Sequence, residues 1–376
     1  MKRGTKLLYK KIFAGLLGGG MLFMPNWSYA LPSGGQVVTN NGTITAGGKV
    51  MDITGSGNVA IDWNSFNIAA DEIVNFKNMQ AVLNYVSGGS KSEIFGKLNG
   101  AGVNVFLVNP NGILFGKTAQ VNVGQLTAST RSLEKAALNS FNGSLSPLDA
   151  GGAANVKADI INLGKLKAGK LVLEGNNLSI IGSDSLEVAD KSKITLRAGE
   201  NINIGYEVTD KTTIDVGDGK GNTHQVSDYG KGGGDKASDV LSTASVTDLK
   251  GSAKSINDAM LVHDVYELQA IDRNTGTING SSYVVGNYML AGDIDAGDTK
   301  NWNSGRGFDP IGRLNRTGNG VTGSFSGAFD GICHSIQNLY IRQIGNQYDG
   351  YIGLFEGIGK GGSVGNVNMA GGHKVG

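Results

Sequence analysis

The sequence predicts an all-β fold, a right-handed parallel β-helix in which short strands stack coil upon coil. Three observations point there. Between Lys170 and Gly205 the chain reads KLVLEG, NNLSIIG, SDSLEVAD, KSKITLRAG, ENINIG. The leading apolar residues, Leu171, Leu178, Leu186, Ile194 and Ile202, fall at intervals of seven, eight, eight and eight, the rhythm of a short strand plus a turn. The 61 glycines are scattered between short apolar runs and there are only 5 prolines, which suits many tight turns. Helical spacing is not sustained in this stretch, and its β-branched content argues against a helix. An antiparallel sandwich or barrel fits the same rhythm. The recurrence of Asn, Ser and Gly at turns, with aliphatic residues for a narrow interior, favours stacked coils of about 24 residues.

In chain order, Lys2, Arg3, Lys6, Lys10 and Lys11 form a basic start and Ile12 to Met24 is apolar. Pro25 and Asn26 break the run, and Ser28-Tyr29-Ala30 places small residues three and one before a cut. Residues 1–30 read as a secretory signal peptide cleaved after Ala30. The apolar run of about 13 residues is shorter than the roughly 20 that span a bilayer, so no integral membrane segment is expected in the mature chain. Cys333 is the single cysteine, so no internal disulfide can form and the exported chain must hold its shape by core and ladder. Residues 31 to 50 are expected to cap the first coil, because a solenoid end exposes strand edges.

The pattern sharpens at Val103 to Gly116, VNVFLVNPNGILFG. Val103, Val105 and Leu107 alternate with Asn104, Phe106 and Val108, as in a strand. Asn109, Pro110, Asn111 and Gly112 then suit a type I turn: Asn bonds nearby backbone, Pro presets φ, and Gly is favoured at the fourth position. Ile113 opens the next strand. Taken alone, these residues are a turn.

The longer wording resembles the secretion domain of two-partner-secretion exoproteins, the filamentous-haemagglutinin, haemolysin and contact-dependent-inhibition proteins. NVFLVNPNGILFG is followed by Val121-Asn122-Val123-Gly124 and Leu126-Thr127-Ala128-Ser129-Thr130. It is preceded by Trp63-Asn64-Ser65-Phe66-Asn67-Ile68, Val74-Asn75-Phe76, Leu83-Asn84-Tyr85-Val86 and Ser92-Glu93-Ile94-Phe95-Gly96-Lys97-Leu98, all in the family's order. The resemblance is dense over residues 35 to 130 and implies a β-helix domain over residues 31–205. It also implies export through a dedicated outer-membrane β-barrel transporter that recognises this domain through its periplasmic domains. The family motif falls on Asn109, Pro110, Asn111, Gly112 and Ile113. Pro110 and Gly112 are expected to shape the turn, and the Asn side chains, expected to be exposed, to contact the transporter.

Ser129 to Ala154 breaks the rhythm, and Arg131 to Leu138 reads as a helical turn or two, an excursion from a coil. Residues 206–262 include the polar, Gly-rich run DVGDGKGNTHQVSDYGKGGGDKASD, which lacks the apolar surface to offset its ordering entropy. They are expected to form a flexible linker or long loop. Order resumes over 263–376, a second β-solenoid-like segment. Tyr288 to Asp295, Phe308-Asp309-Pro310-Ile311-Gly312, Gly323 to Gly331, His334 to Ile341 and Gly353-Leu354-Phe355 resemble the GLUG-type repeats of large bacterial adhesins. Cys333 stands where that pattern has Gly and is expected to be a buried thiol. The segment is expected to be incomplete.

Chemistry is sparse. A net charge of +1 and 17% charged residues give no footprint for nucleic acid, and the aromatics show no stacking platform. His224, His263, His334 and His373 are dispersed, with no two at metal-ligand spacing. Asp293, Asp295 and Asp298 resemble the start of a calcium loop, but the twelfth position is Ser304 rather than Glu. His334 beside Asp330 reads as a turn. No catalytic residue, cofactor or metal is expected. The expected function is that of a secreted surface exoprotein or adhesin with a host-cell or bacterial receptor. The alternatives are a β-helix polysaccharide-degrading enzyme and the stalk of a contact-dependent inhibition toxin.

Overall fold

Three columns of aliphatic side chains define the molecule. Met51, Val74, Leu98, Val121, Leu166 and Leu186 lie one above another along one parallel ladder. Val59, Val82, Val105, Leu126, Leu171 and Ile194 do so along a second. Ile113, Ile160, Leu178 and Ile202 form a third. All are buried and share one core. The computed structural model describes residues 31–39, 41–146, 148, 155–278, 281–312, 315–317, 320–342 and 353–371. The expected signal peptide and cleavage after Ala30 lie outside the described residues, as does His373.

Each coil therefore has three faces, and one turn of the chain visits them in sequence. Strands Lys97–Val108, Gln120–Ser129 and Lys165–Gly175 each cover two faces. They bend at a stack of glycines: a Cβ on Gly124 would lie 2.7 Å from the carbonyl carbon of Gly102, and one on Gly169 2.9 Å from the oxygen of Gly124. Val59 to Val82 to Val105 advances 23 residues per coil, close to the expected 24. The regular intervals of Leu171, Leu178, Leu186, Ile194 and Ile202 are successive faces of this coil, with Ile194 stacked on Leu171 and Ile202 on Leu178. Among the described residues the structure is mostly strand with few helices, and its principal ladders are parallel, an all-β, β-helix-like fold.

Amide ladders bind one coil to the next outside the core. Asn75 donates to Asp52 at 2.9 Å, and Asn99 to Asn75 at 3.0 Å. Farther along, Asn177 donates to Asp159 at 3.0 Å, and Asn201 to Asn177 at 3.2 Å. Like stacks on like because parallel strands repeat the same position at about 4.8 Å. At the start, Gln36–Val37 pairs antiparallel with Asn58–Trp63 and covers the edge of that ladder.

Three regions differ from expectation. Residues 206–262 do not form a flexible linker. Lys211–Asp215 and Thr223–Ser227 form an antiparallel hairpin, and Ser245–Thr247 and Asn257–Val262 extend two of the ladders. Sparse but well-placed apolar residues (Ile214, Val216, Val226 and Tyr229) fix the hairpin on a second buried cluster, which includes Leu268, Ile271 and Trp302. Val265–Ala270 is a helix, capped by Asp264, whose carboxylate accepts from the amides of Tyr266 and Glu267. Cys333 is exposed rather than buried; the buried side chain of that turn is its neighbour Ile332, which packs with Ile161, Leu163 and Ile181 on the outside of the third face.

Candidate functional site

The corner between the second and third faces carries the NPNG sequence. Asn109 follows the long strand directly, and its side chain is fully buried. Its Nδ2 donates to the Ser90 carbonyl and to Ser92 Oγ, both at 3.0 Å, and its Oδ1 accepts from the Asn111 amide at 2.9 Å. The Gly112 amide closes the turn on the Asn109 carbonyl at 3.1 Å. Gly112 sits at φ +110°, and a Cβ there would lie 3.2 Å from the Asp159 oxygen, so the position requires glycine. Ile113 then enters the core, its amide bonded to that same oxygen at 3.1 Å. The expectation that both Asn side chains are exposed is corrected at Asn109. Asn111 is exposed and reaches the preceding coil, where its Nδ2 donates to the Gly88 carbonyl at 2.7 Å. Pro110 is half-buried beside it.

One coil later the same corner is replaced by an excursion. The chain leaves the sheet after Ser129 and returns at Ile160. Its short helix, Lys135–Asn139, is the turn of helix expected from Arg131 to Leu138. Leu138 and Phe141 pack on the outer surface of the second face against Ala60, Ala81, Leu83 and Val108, and Phe141 meets the edge of Phe106 with ring centroids 5.4 Å apart. Arg131 forms a bidentate pair with Glu174, Nε to Oε1 and Nη2 to Oε2 both at 2.7 Å, and its Nη1 donates to the Ser146 carbonyl at 2.6 Å. Both residues are buried. Sequence reasoning missed this pair: 43 positions separate the partners, and only the register, Ser129 beside Glu174, brings them together.

A second polar cluster anchors the 211–227 hairpin. Buried Glu267 accepts from Ser227 Oγ at 2.7 Å and lies 2.9 Å from His263 Nδ1, while His263 Nε2 lies 3.1 Å from Glu207. The hydrogen bond to Glu267 raises His263 to about 9 against the opposing effect of burial. Burial pushes Glu267 up, but the bonds from His263 and Ser227 outweigh it and hold the carboxyl down at about 2. Buried Glu267 anchors the cluster, while Glu207 at its outer edge is exposed.

The remaining candidates resolve into turns. Asp293 accepts from the amide and hydroxyl of Ser335, Asp295 from the Gly297 amide and Asn338, and Asp298 from the Tyr266 hydroxyl. His334 is buried and lies 3.5 Å from Asp293; Asp330 instead accepts from Ser179 at 2.7 Å and from the Ile332 amide at 2.9 Å. His224 stacks on Tyr266, with ring centroids 3.6 Å apart. Among the described residues no group of three His, Cys, Asp or Glu is placed to hold a metal ion. No helix of the described residues is long and apolar enough to cross a membrane.

Comparison with known proteins gives one family model and several partial matches. The profile described as the TPS secretion domain matches residues 28–294. A heme/hemopexin-binding protein of Haemophilus influenzae is 33% identical over 177 residues, 46% of this chain and 19% of that protein. Halomucin of Haloquadratum walsbyi is 28% identical over 255 residues, 67% of this chain and 2% of that protein. The chain thus spans a small part of the length of the curated relatives it matches. Among solved structures, the HMW1 secretion domain from Haemophilus influenzae aligns at a TM-score of 0.31 and 17% identity, covering 82% of this chain and 64% of that one.

Proposed function

This chain belongs to the TPS secretion domain family and is a two-partner-secretion exoprotein; we propose that a dedicated outer-membrane β-barrel transporter recognises its N-terminal solenoid through periplasmic domains. The observation that carries the reading is the continuous family match over 28–294. Residues 1–30 are the signal that takes the chain across the inner membrane, with cleavage after Ala30. The solenoid winds right-handed, the hand of nearly all parallel strand crossovers. In the motif, Asn109, Pro110, Gly112 and Ile113 build the corner, and Asn111, the exposed amide, is the residue offered to the transporter.

Residues 263–376, whose first part lies within the matched span, form a GLUG-type repeat region, and the exported protein acts as an adhesin at the cell surface or after release. The receptor is a host-cell or bacterial surface component. Heme and hemopexin binding, named for the Haemophilus relatives, is not carried over, because the first of these matches covers only 19% of that protein.

The test is export of the full chain from a diderm host with and without a co-expressed transporter from the neighbouring reading frame. Appearance of the folded chain outside the cell only with the transporter supports the reading. Equal export without it overturns it.

A further inference from the structure

A turn from the later coils, Asp330 to His334, lies on the outer surface of the third face. Ser179 Oγ, on strand Leu178–Ile180, donates to Asp330 at 2.7 Å across 151 positions, and Asn203 Nδ2, on strand Ile202–Tyr206, lies 3.5 Å from the same carboxylate. Ile332 is fully buried against Ile161, Leu163 and Ile181. From the coil beyond, Asn366 Nδ2 donates to Asp330 at 3.0 Å, and the Asn366 carbonyl accepts from the Cys333 amide at 3.0 Å. The turn is held at a conformational cost. Ile332 sits at φ +37° and Cys333 at φ +68°, left-handed angles that a β-branched residue in particular avoids. Such angles persist only where the surroundings enforce them, and they gather at switch regions.

His334 closes the turn and is only 4% exposed. Its Nδ1 lies 3.5 Å from Asp293 Oδ1, which assigns the ring proton to Nδ1 and leaves Nε2 with a bare lone pair. That Nε2 is buried and has no hydrogen-bond partner among the described residues. A proton arriving there would create a buried donor with nothing to accept it. It would also set a second cation close to Lys117, whose Nζ lies 3.4 Å from where a Cβ on Gly292 would stand, next to Asp293. Burial and the Lys117 charge hold the imidazole below its usual range, against the opposing pull of Asp293. The other charged groups nearby, Asp330, Lys91 and Glu93, face the adjoining Cys333.

We propose that the Asp330–His334 turn is an acid-released latch: protonation of His334 frees it from the outer third face. A free imidazole, titrating near about 6.5, takes up a proton more readily than the docked one. Docking is therefore strongest above about 6.5 and weakens as pH falls below it. Release withdraws Ile332 from Ile161, Leu163 and Ile181 and returns Ser179 and Asn203 to solvent. It loosens the hold of the later coils on the outer third face, while the ladder from Asn257–Val262 to Asn287–Leu290 stays in place. The latch acts in the folded chain and is independent of the route by which the chain is exported.

The test follows amide hydrogen exchange of residues 328–336 in the full chain at about pH 7.5 and about pH 5, corrected for intrinsic rates, in wild type, His334→Gln and Ser179→Ala. In wild type the open fraction of the turn should rise severalfold at the lower pH, with a ceiling of about thirtyfold set by a free imidazole titrating near 6.5. Strand Thr223–Ser227 is the internal control against global unfolding, because its exchange should slow over the same interval. His334→Gln, neutral throughout, should lose the acid response. Ser179→Ala should exchange severalfold faster than wild type at both pH values. A wild-type turn that exchanges equally or more slowly at the lower pH overturns the latch, as does an acid response that survives in His334→Gln. Wild-type exchange in Ser179→Ala overturns docking on the third face. If His334→Gln does not fold, the ring titration of His334 in wild type, followed by nuclear magnetic resonance, decides in its place: a midpoint below about 6.5 supports the latch, and one at or above about 6.5 overturns it.

Discussion

Replacing Asn109 with Ala should destabilise the solenoid far more than the same change at Asn111, two residues away. Asn109 is fully buried and directs four hydrogen bonds: two donated, to the Ser90 carbonyl and Ser92 Oγ, and two accepted from the amide and side chain of Asn111. Ser92 is itself fully buried, so truncation strands its hydroxyl at about 1–3 kcal/mol. The Ser90 carbonyl and the Asn111 amide lie in exposed residues where water can replace the lost partner, which adds about 1 kcal/mol for the turn bond. The sum is about 2–4 kcal/mol. Asn111→Ala removes bonds from an exposed side chain and should cost less than about 1 kcal/mol. Urea unfolding followed by far-ultraviolet circular dichroism measures both, as midpoint shifts at constant slope. An Asn109→Ala protein within about 0.5 kcal/mol of wild type would refute the assignment of Asn109 as the buried keystone of the corner.

Three further outcomes follow from named contacts. Leu126→Ala opens a cavity in the column between Val105 and Leu171 and should cost about 2–5 kcal/mol in the same assay. The His263–Glu267 anchor has a defined pH window. Glu267, held at about 2, contributes stability that is present above its unfolded value of about 4.3 and lost as pH falls towards 2. His263, raised to about 9, contributes stability that is full below about 6.5 and lost as pH rises through 9. Hydrogen exchange in Thr223–Ser227 should therefore be slowest near pH 5 to 6 after correction for intrinsic rates, and His263→Ala should flatten that optimum. Cys333 should take up one equivalent of maleimide in the folded chain because it is exposed, yet react slowly near neutral pH because partial burial raises its thiol; full protection would contradict the exposed turn.

The coil was legible where neighbouring coils repeat the same chemistry. Leu171, Leu178, Leu186, Ile194 and Ile202 announce three faces because each must point into a narrow interior, and regular spacing is the visible trace of that demand. The NPNG turn was equally plain, since Pro and Gly act through their own backbone angles. The depth of Asn109 was not legible, because Asn is common at exposed turns and its burial depends on Ser90 and Ser92 of the preceding coil. The Arg131–Glu174 pair and the hairpin at Lys211 escaped for the same reason. Each rests on a few residues whose partners are remote in sequence: Glu174 for Arg131, Glu267 for Ser227. A polar, Gly-rich run can be ordered by four apolar side chains and one buried carboxylate, and local composition does not register that.

A buried keystone, Asn109, and an exposed amide, Asn111, stand side by side in one turn, and export of Asn111→Ala tests most directly whether the exposed one is offered to the transporter. The full chain would be expressed in a diderm host with its transporter, and the amount outside the cell compared with wild type alongside the urea midpoint of the purified protein. Export that falls several-fold while the midpoint stays within about 1 kcal/mol is the predicted result. Wild-type export with an unchanged midpoint would contradict it and leave the turn a purely structural corner.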